Sequence, residues 1–210
     1  MKLLPKTIAG KVFLTISFFI TISFMIYLGG PIYSYLSYSP HEGDIVFQSL
    51  HKNPLVIAIE GITRSKYSHC GIIIKKNSKW MVLEAVGPVK ETPLLSWILQ
   101  SRDFKIDAYR LKPKFQKNIP NMIKEANKFK GLPYDIHYKM DNEKIYCSEL
   151  IYKAYKNATG ENLGELVKLK NLNWVPYKFT IEYFEGGAVP EDRQMIPPVS
   201  IANSEKLLKL

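Results

Sequence analysis

Cysteine is nearly absent: 210 residues hold two, Cys70 and Cys147. Two are too few for the disulfide framework that staples small exported domains, so the core has to come from apolar packing. Histidine is scarce as well, and His41, His51 and His137 stand in expected loops without metal-ligand spacing. No metal and no other cofactor is therefore expected. Internal repeats, low-complexity segments and runs of five or more basic residues are missing too, although 29 Lys and Arg outnumber 19 Asp and Glu. Lysines scattered as Lys75, Lys112, Lys153 and Lys170 accompany no nucleic-acid motif. They fit a solvated surface drawn toward an anionic membrane or wall, and nucleic acid is not an expected partner.

Charge is missing altogether from Val12 to Leu28, VFLTISFFITISFMIYL, a run of 17 residues preceded by Lys2, Lys6 and Lys11. Extended slightly into Gly29–Pro31, such a run spans a hydrocarbon core of ~30 Å. The basic flank leaves the N-terminus in the cytoplasm and the rest across the membrane. A cleaved signal peptide, which would leave a secreted or periplasmic domain, shares the basic and apolar regions. It also needs a small-x-small site, and the run ends in LGGPIYSYLSYS, so an uncleaved anchor is the expectation. No cysteine lies near the run to carry a lipid. Residues 1–30 are thus expected as anchor or signal segment, 31–42 as a linker, and 43–210 as one domain, long enough for a single core.

Within that domain GDIVFQ from Gly43 reads as a strand. HCGIIIK (69–75) and WMVLEAV (80–86) read as a hairpin around the polar turn KNSK. PLVIAIEGIT (54–63) is ambiguous between strand and helix. LLSWILQS (94–101) predicts a short helix and FKIDAYRL (104–111) a half-buried strand. Apolar stripes predict helices over 118–131 and 147–160, ended by Gly131 and Gly160. The prolines of VPEDRQMIPPVS predict an extended segment over the core. The class is α+β.

Cys147 opens the second of those helices, where unpaired N–H groups and the helix dipole favour a thiolate. By position alone it reads as readily as a small buried apolar residue. His69 opens a strand after the polar loop TRSKYS, the station of a base or of a satisfied core histidine. Glu84 interrupts the apolar run of the partner strand; buried there, its charge needs a partner, and an imidazole N–H on the neighbouring strand would supply one. Together the three make a nucleophile, base and orienting acid. Strand alternation turns Cys70 away from the side His69 faces. That predicts a core role for Cys70 and argues against a Cys70–Cys147 disulfide.

HEGDIVFQ, YSHCGIII, VLEAVGPVKETPL, GLPYD and IYCSELIYKAY resemble the YiiX/YebB-like group of NlpC-related cysteine hydrolases, the permuted papain-like amidases. The resemblance covers roughly residues 41 to 200. It implies a circularly permuted papain-like domain, an antiparallel sheet packed against helices, with His69, Glu84 and Cys147 in that chain order. It assigns Cys147 as nucleophile, His69 as base, Glu84 as third residue and Tyr134 of GLPYD as a further site residue near an oxyanion hole. Tyr134 reads equally as a packing residue under the loop. The implied reaction is amide hydrolysis through a thioester on Cys147, with a peptide, wall peptide or lipid amide as substrate. Acyl transfer on lipid head groups, or a binding module that keeps only the fold, are the alternatives.

Overall fold

The computed structural model describes residues 8–210, without the side chains of residues 8–11 and 24–28; Lys2 and Lys6 lie outside the described residues. Helix α1 (Ile8–Ser37) runs through Pro31 and so takes up half of the expected linker. Its described apolar stretch, Val12–Ser23, is about 18 Å long at the α-helical rise, short of a ~30 Å hydrocarbon core. Among the described residues no helix is long and apolar enough to cross a membrane. The transmembrane helix expected over Val12–Leu28 is therefore not established by the structure, because its last five side chains lie outside the description. Phe13, Phe18, Phe19 and Ile20 are exposed, whereas the end of α1 docks on the domain through Ser34, whose hydroxyl donates to the Phe104 carbonyl at 2.6 Å.

The following segment is pinned by Asp44, a fully buried carboxylate. Arg110 donates to both its oxygens at 2.7 and 2.8 Å, and the Tyr38 hydroxyl donates at 2.7 Å. Strand β1 (Ile45–Gln48) starts directly after this anchor.

Helix α2 (Pro54–Thr63) resolves the ambiguous segment. Asn53 caps it by accepting the Val56 N–H at 2.9 Å, and Pro54 sits where a helix lacks a use for its N–H. These local signals override the β-branched content. The expected hairpin follows as β2 (His69–Lys76) and β3 (Lys79–Ala85), with Asn77 and Ser78 both at positive φ in the turn. β4 (Val89–Pro93), α3 (Leu94–Leu99) and β5 (Asp107–Leu111) come next, then α4 (Ile119–Asn127) and α5 (Cys147–Thr159). The tail adds β6 (Val167–Lys168), α6 (Lys178–Glu185), β7 (Gln194–Met195), α7 (Pro198–Ala202) and β8 (Leu207–Lys209). The tail expected to be extended is so only in part: Pro198 begins α7, because a proline's fixed φ suits a first helical turn.

Six antiparallel strands form one sheet in the order β4-β3-β2-β1-β5-β8. Alternation divides the core between its faces. Ile45, Phe47, Cys70, Ile72 and Leu83 join Met122, Leu150, Ile151 and Tyr155 of α4 and α5 on one face. Val46, Ile73 and Val82 pack with Leu94, Trp97 and Ile98 of α3 on the other. The β2–β3 register seats Gly71 opposite Glu84. With no side chain at 71, Glu84 has room to lean diagonally along that face toward position 69. A Cβ on Gly71 would overlap Val82 Cγ1 and lie 3.1 Å from the Leu83 carbonyl oxygen, while meeting Glu84 Cβ in ordinary contact at 3.5 Å. Gly71→Ala is expected to cost ~1–3 kcal/mol by overpacking, measured by denaturant unfolding. An unchanged midpoint would refute this account of the glycine.

Candidate active site

α5 forms because Leu150, Ile151, Ala154 and Tyr155 recur at helical spacing and are all fully buried. It stops at Gly160, whose positive φ lets its N–H return to the Lys156 carbonyl at 2.7 Å. Its start is held just as firmly. The Tyr146 N–H donates to Glu149 at 3.2 Å, the Ser148 hydroxyl donates to the Ile196 carbonyl at 2.6 Å, and the Tyr146 hydroxyl accepts the Ile196 N–H at 2.9 Å. The tail thus clamps the first turn of α5, and Cys147 is its first residue.

His69, at the first position of β2, is close enough to Cys147 that each group shifts the other's pKa. The other side of the imidazole faces Glu84: Nε2 lies 2.5 Å from Oε2. Glu84 also accepts from Trp97 Nε1 at 2.9 Å and from the Thr92 hydroxyl at 2.5 Å. Three donors therefore satisfy a carboxylate with no exposed surface, and His69 and Cys147 are only 2% and 3% exposed. In so dry a setting charge–charge interactions are strong.

The electrostatics follow. Burial disfavours the His69 imidazolium, but hydrogen bonds to Cys147 and Glu84 outweigh it and raise its pKa to about 9. Burial likewise opposes the charge of Glu84, yet the bond to His69, with Thr92, keeps its pKa below the ordinary carboxylate value. The Cys147 pKa lies well below that of a free thiol: a hydrogen bond from the Cys70 thiol contributes most, burial opposes, and His69 and the Cys70 backbone add to the lowering. The resting pair is thus a thiolate and an imidazolium.

Three of the four residues singled out, Cys147, His69 and Glu84, are brought together directly. Tyr134 stands close by, partly buried, with its hydroxyl 3.1 Å from that of Tyr138. Burial, Tyr138 and the Cys147 charge all raise its pKa, so it is a neutral hydroxyl. Cys70 corrects one expectation. It does face away from His69, but the face it points to is the one that carries α5, so it adds to the lowering of the Cys147 pKa instead of leaving the site. Alternation gives the side of a sheet, not the position of a helix end beyond it.

Thr92, Trp97 and Tyr138 were not singled out in the sequence. Nothing in the spacing of Trp97 separates it from an ordinary core residue of α3; only the need of Glu84 for donors pointed toward it. Gln48 is a further surprise: directly across from His69 in the β1–β2 register, it is buried with both amide atoms unpartnered.

Cys147 opens onto a cleft walled by α2 (Leu55, Ile59, Ile62), α6 (Ile181, Phe184), the tail (Met195, Pro197) and Tyr138, with about 780 Å³ of space including its open mouth. The wall is mostly apolar, with Thr63, Ser68, Ser148 and Thr180 among its lining and one charged cluster. Arg193 donates to Glu185 at 2.9 Å and also to the His137 carbonyl, and His137 Nδ1 lies 3.6 Å from Glu185. Among the described residues no group of three or more His, Cys, Asp and Glu side chains is placed to hold a metal ion.

Comparison with known proteins agrees with this architecture. Residues 39–210 match the family model described as permuted papain-like amidase enzyme, YaeF/YiiX, C92 family. The uncharacterized protein YiiX of Escherichia coli K12 is 32% identical over 176 residues, covering 81% of this chain and 86% of that protein. A crystal structure described as that of the metalloprotein YiiX from Escherichia coli O157:H7 superposes with a TM-score of 0.77 at 31% identity, over 82% of this chain and 97% of that one. With His69 and Glu84 ahead of Cys147 in the chain, on a six-stranded antiparallel sheet backed by helices, the protein belongs to the YaeF/YiiX family of permuted papain-like cysteine amidases.

Proposed function

We propose that the protein hydrolyses the amide bond of a substrate with an apolar acyl group, through a thioester on Cys147. The observation that carries this reading is the apolar cleft ending at the Cys147 thiolate. The thiolate attacks the amide carbonyl carbon, and the resulting oxyanion is met by the Cys147 backbone N–H, unpaired at the first turn of α5, and by the Tyr134 hydroxyl. As the C–N bond breaks, the His69 imidazolium gives its proton to the leaving amine. Neutral His69 then takes a proton from water, which attacks the thioester and frees the acid. Throughout, Glu84 keeps the imidazole oriented and offsets its positive charge. Amides of graded acyl length test the substrate class: kcat/KM should climb with chain length and vanish in Cys147→Ala. A preference for short or charged acyl groups would overturn it.

The family's chemistry needs the ion pair intact, so the pH–rate profile should be a bell. Its acid limb reflects protonation of Cys147. Its alkaline limb falls near pH 9, where His69 loses the proton it owes to the leaving amine. Glu84→Gln is expected to lower turnover by a factor on the order of 10 to 10³, less than loss of the base, which is worth roughly 10²–10⁴. The amide can keep an oxygen toward His69 and Trp97 while its NH₂ meets the Thr92 hydroxyl, so the shape survives. Losing the negative charge lowers the His69 pKa, so the alkaline limb should move to lower pH. A mutant with the wild-type profile would remove Glu84 from the mechanism.

We further propose that the segment Val12–Leu28 holds the domain at the outer side of the cytoplasmic membrane, so that acyl chains reach the cleft from the bilayer. Lys2, Lys6 and Lys11 on one flank, and the exposed apolar side chains of α1, support this orientation. Protease added to intact spheroplasts should digest residues 42–210; full protection would place them inside.

A further inference from the structure

The acyl chemistry proposed above leaves one side chain of the cleft, His137, without a task. His137 lines the same space as Cys147, beside Glu185 and Arg193. Its backbone places it: the N–H donates to Asp135 at 2.9 Å, and the carbonyl accepts from Arg193. Its ring makes no hydrogen bond among the described residues. The two ring nitrogens stand in different surroundings. Nδ1 is shut off from solvent and lies 3.6 Å from the Glu185 carboxylate, too long for a hydrogen bond, whereas the side chain as a whole stays 31% exposed. What the ring shows to the cleft is therefore its other edge, which carries Nε2. Beside a carboxylate the neutral ring keeps its proton on Nδ1, and Nε2 is left as an acceptor. Arg193 pins Glu185 in turn, donating at 2.9 Å. The loop is also tied to the nucleophile. Tyr138, next in the chain and at φ 52°, sets its ring 4.9 Å from that of Tyr146, the residue before Cys147.

We propose that His137 is a specificity-determining residue, its Nε2 accepting a hydrogen bond from a hydroxyl or N–H group on the amine half of the substrate. The preferred substrates are then acyl amides of amines that carry such a donor, not plain N-alkyl amides. This deepens the proposed function and rests on it: an apolar acyl group brings no donor, so the donor has to come with the amine. The energetics follow from the lining. A substrate filling a mostly apolar cleft strips water from Nε2, and an acceptor buried without a donor is costly. A hydroxyl in reach restores the lost bond, whereas a methyl in its place leaves Nε2 unpaired. Discrimination of this kind comes from the polar group that the wrong substrate strands. Glu185 acts through His137, as a positioning residue that holds the ring and its tautomer.

The test compares N-dodecanoyl ethanolamine with N-dodecanoyl propylamine, which differ only by a terminal hydroxyl in place of a methyl. The full chain should favour the hydroxyl amide by roughly tenfold in kcat/KM. The difference should lie in KM and not in kcat, because the bond is present before and during the reaction. His137→Phe keeps a planar ring without the acceptor and should treat the two amides alike. His137→Gln, whose Oε1 can stand near the place of Nε2, should keep the preference. Both variants retain the backbone bonds of residue 137, and circular dichroism checks their fold. Equal KM for the two amides in wild type, or a preference that survives His137→Phe, overturns the proposal. Hydrolysis of neither amide would remove the proposed function instead. Calorimetric binding of the two amides to the Cys147→Ala chain then decides the inference: tighter binding of the hydroxyl amide upholds it, and equal binding overturns it.

Discussion

A carboxylate with no exposed surface is the constraint on which the rest of this site depends. Glu84 stays ionised inside an apolar strand only because His69, Trp97 and Thr92 all turn toward it. Stripping one partner from a buried ionic group typically costs ~3–5 kcal/mol, so the three donors are held in place by the same charge they satisfy. The chain supplies them from three elements, β2, β4 and α3, around the strand β3 that carries Glu84. Gly71 gives up a side chain so that the carboxylate can cross from β3 to the end of β2. The imidazole is then fixed before any substrate arrives, with its remaining nitrogen free for the thiol. That is the preorganisation a proton-transferring base requires.

The thiol comes from the other face. α5 packs across the face that buries Cys70 and Ile72, and its first residue reaches past the sheet's end to His69. Two separately stabilised halves of the molecule therefore meet at His69 and Cys147. Each half is clamped close to that point: Glu84 and its donors on one side, and on the other the bonds from Tyr146 and Ser148 to Ile196. Burial opposes both charges, and the pair persists because each has a partner; either alone would be displaced toward its neutral form.

Much of this was legible in the sequence. The β2–β3 hairpin follows from alternation around a polar turn, and α4 and α5 from apolar stripes; Gly160 at positive φ ends α5 as expected, whereas α4 stops at Asn127, four residues short of the expected Gly131. The pairing of His69 with Glu84 follows from one charged residue in an apolar strand needing a donor across the ladder. What escaped depended on tertiary placement. Trp97 and Thr92 look like ordinary residues of a short helix and an edge strand until Glu84 is seen to need them. α6 and the two-residue strands β6 and β7 carry too little periodicity to stand out. Cys70 shows the limit most clearly: its orientation relative to the strand was read correctly, yet its place in the site was missed, because a residue's face and a residue's neighbour are different facts.

The cleft itself shows how the tail, the least regular part of the chain, comes to shape chemistry. Met195, Ile196 and Pro197 are at once the clamp on α5 and a wall of the space before Cys147. α6 forms the facing wall with Ile181 and Phe184 and is tied to the tail by the Glu185–Arg193 pair, and Arg193 in turn ties the tail to the Tyr134 loop by donating to the His137 carbonyl. Both side chains of that pair are largely buried, so separating them inside an apolar wall would leave two charges poorly solvated. The cleft is therefore held at a set width by a polar bond in a mostly apolar lining. The ion pair that joins the walls and the aliphatic side chains that line them are what the proposed preference for an apolar acyl group rests on.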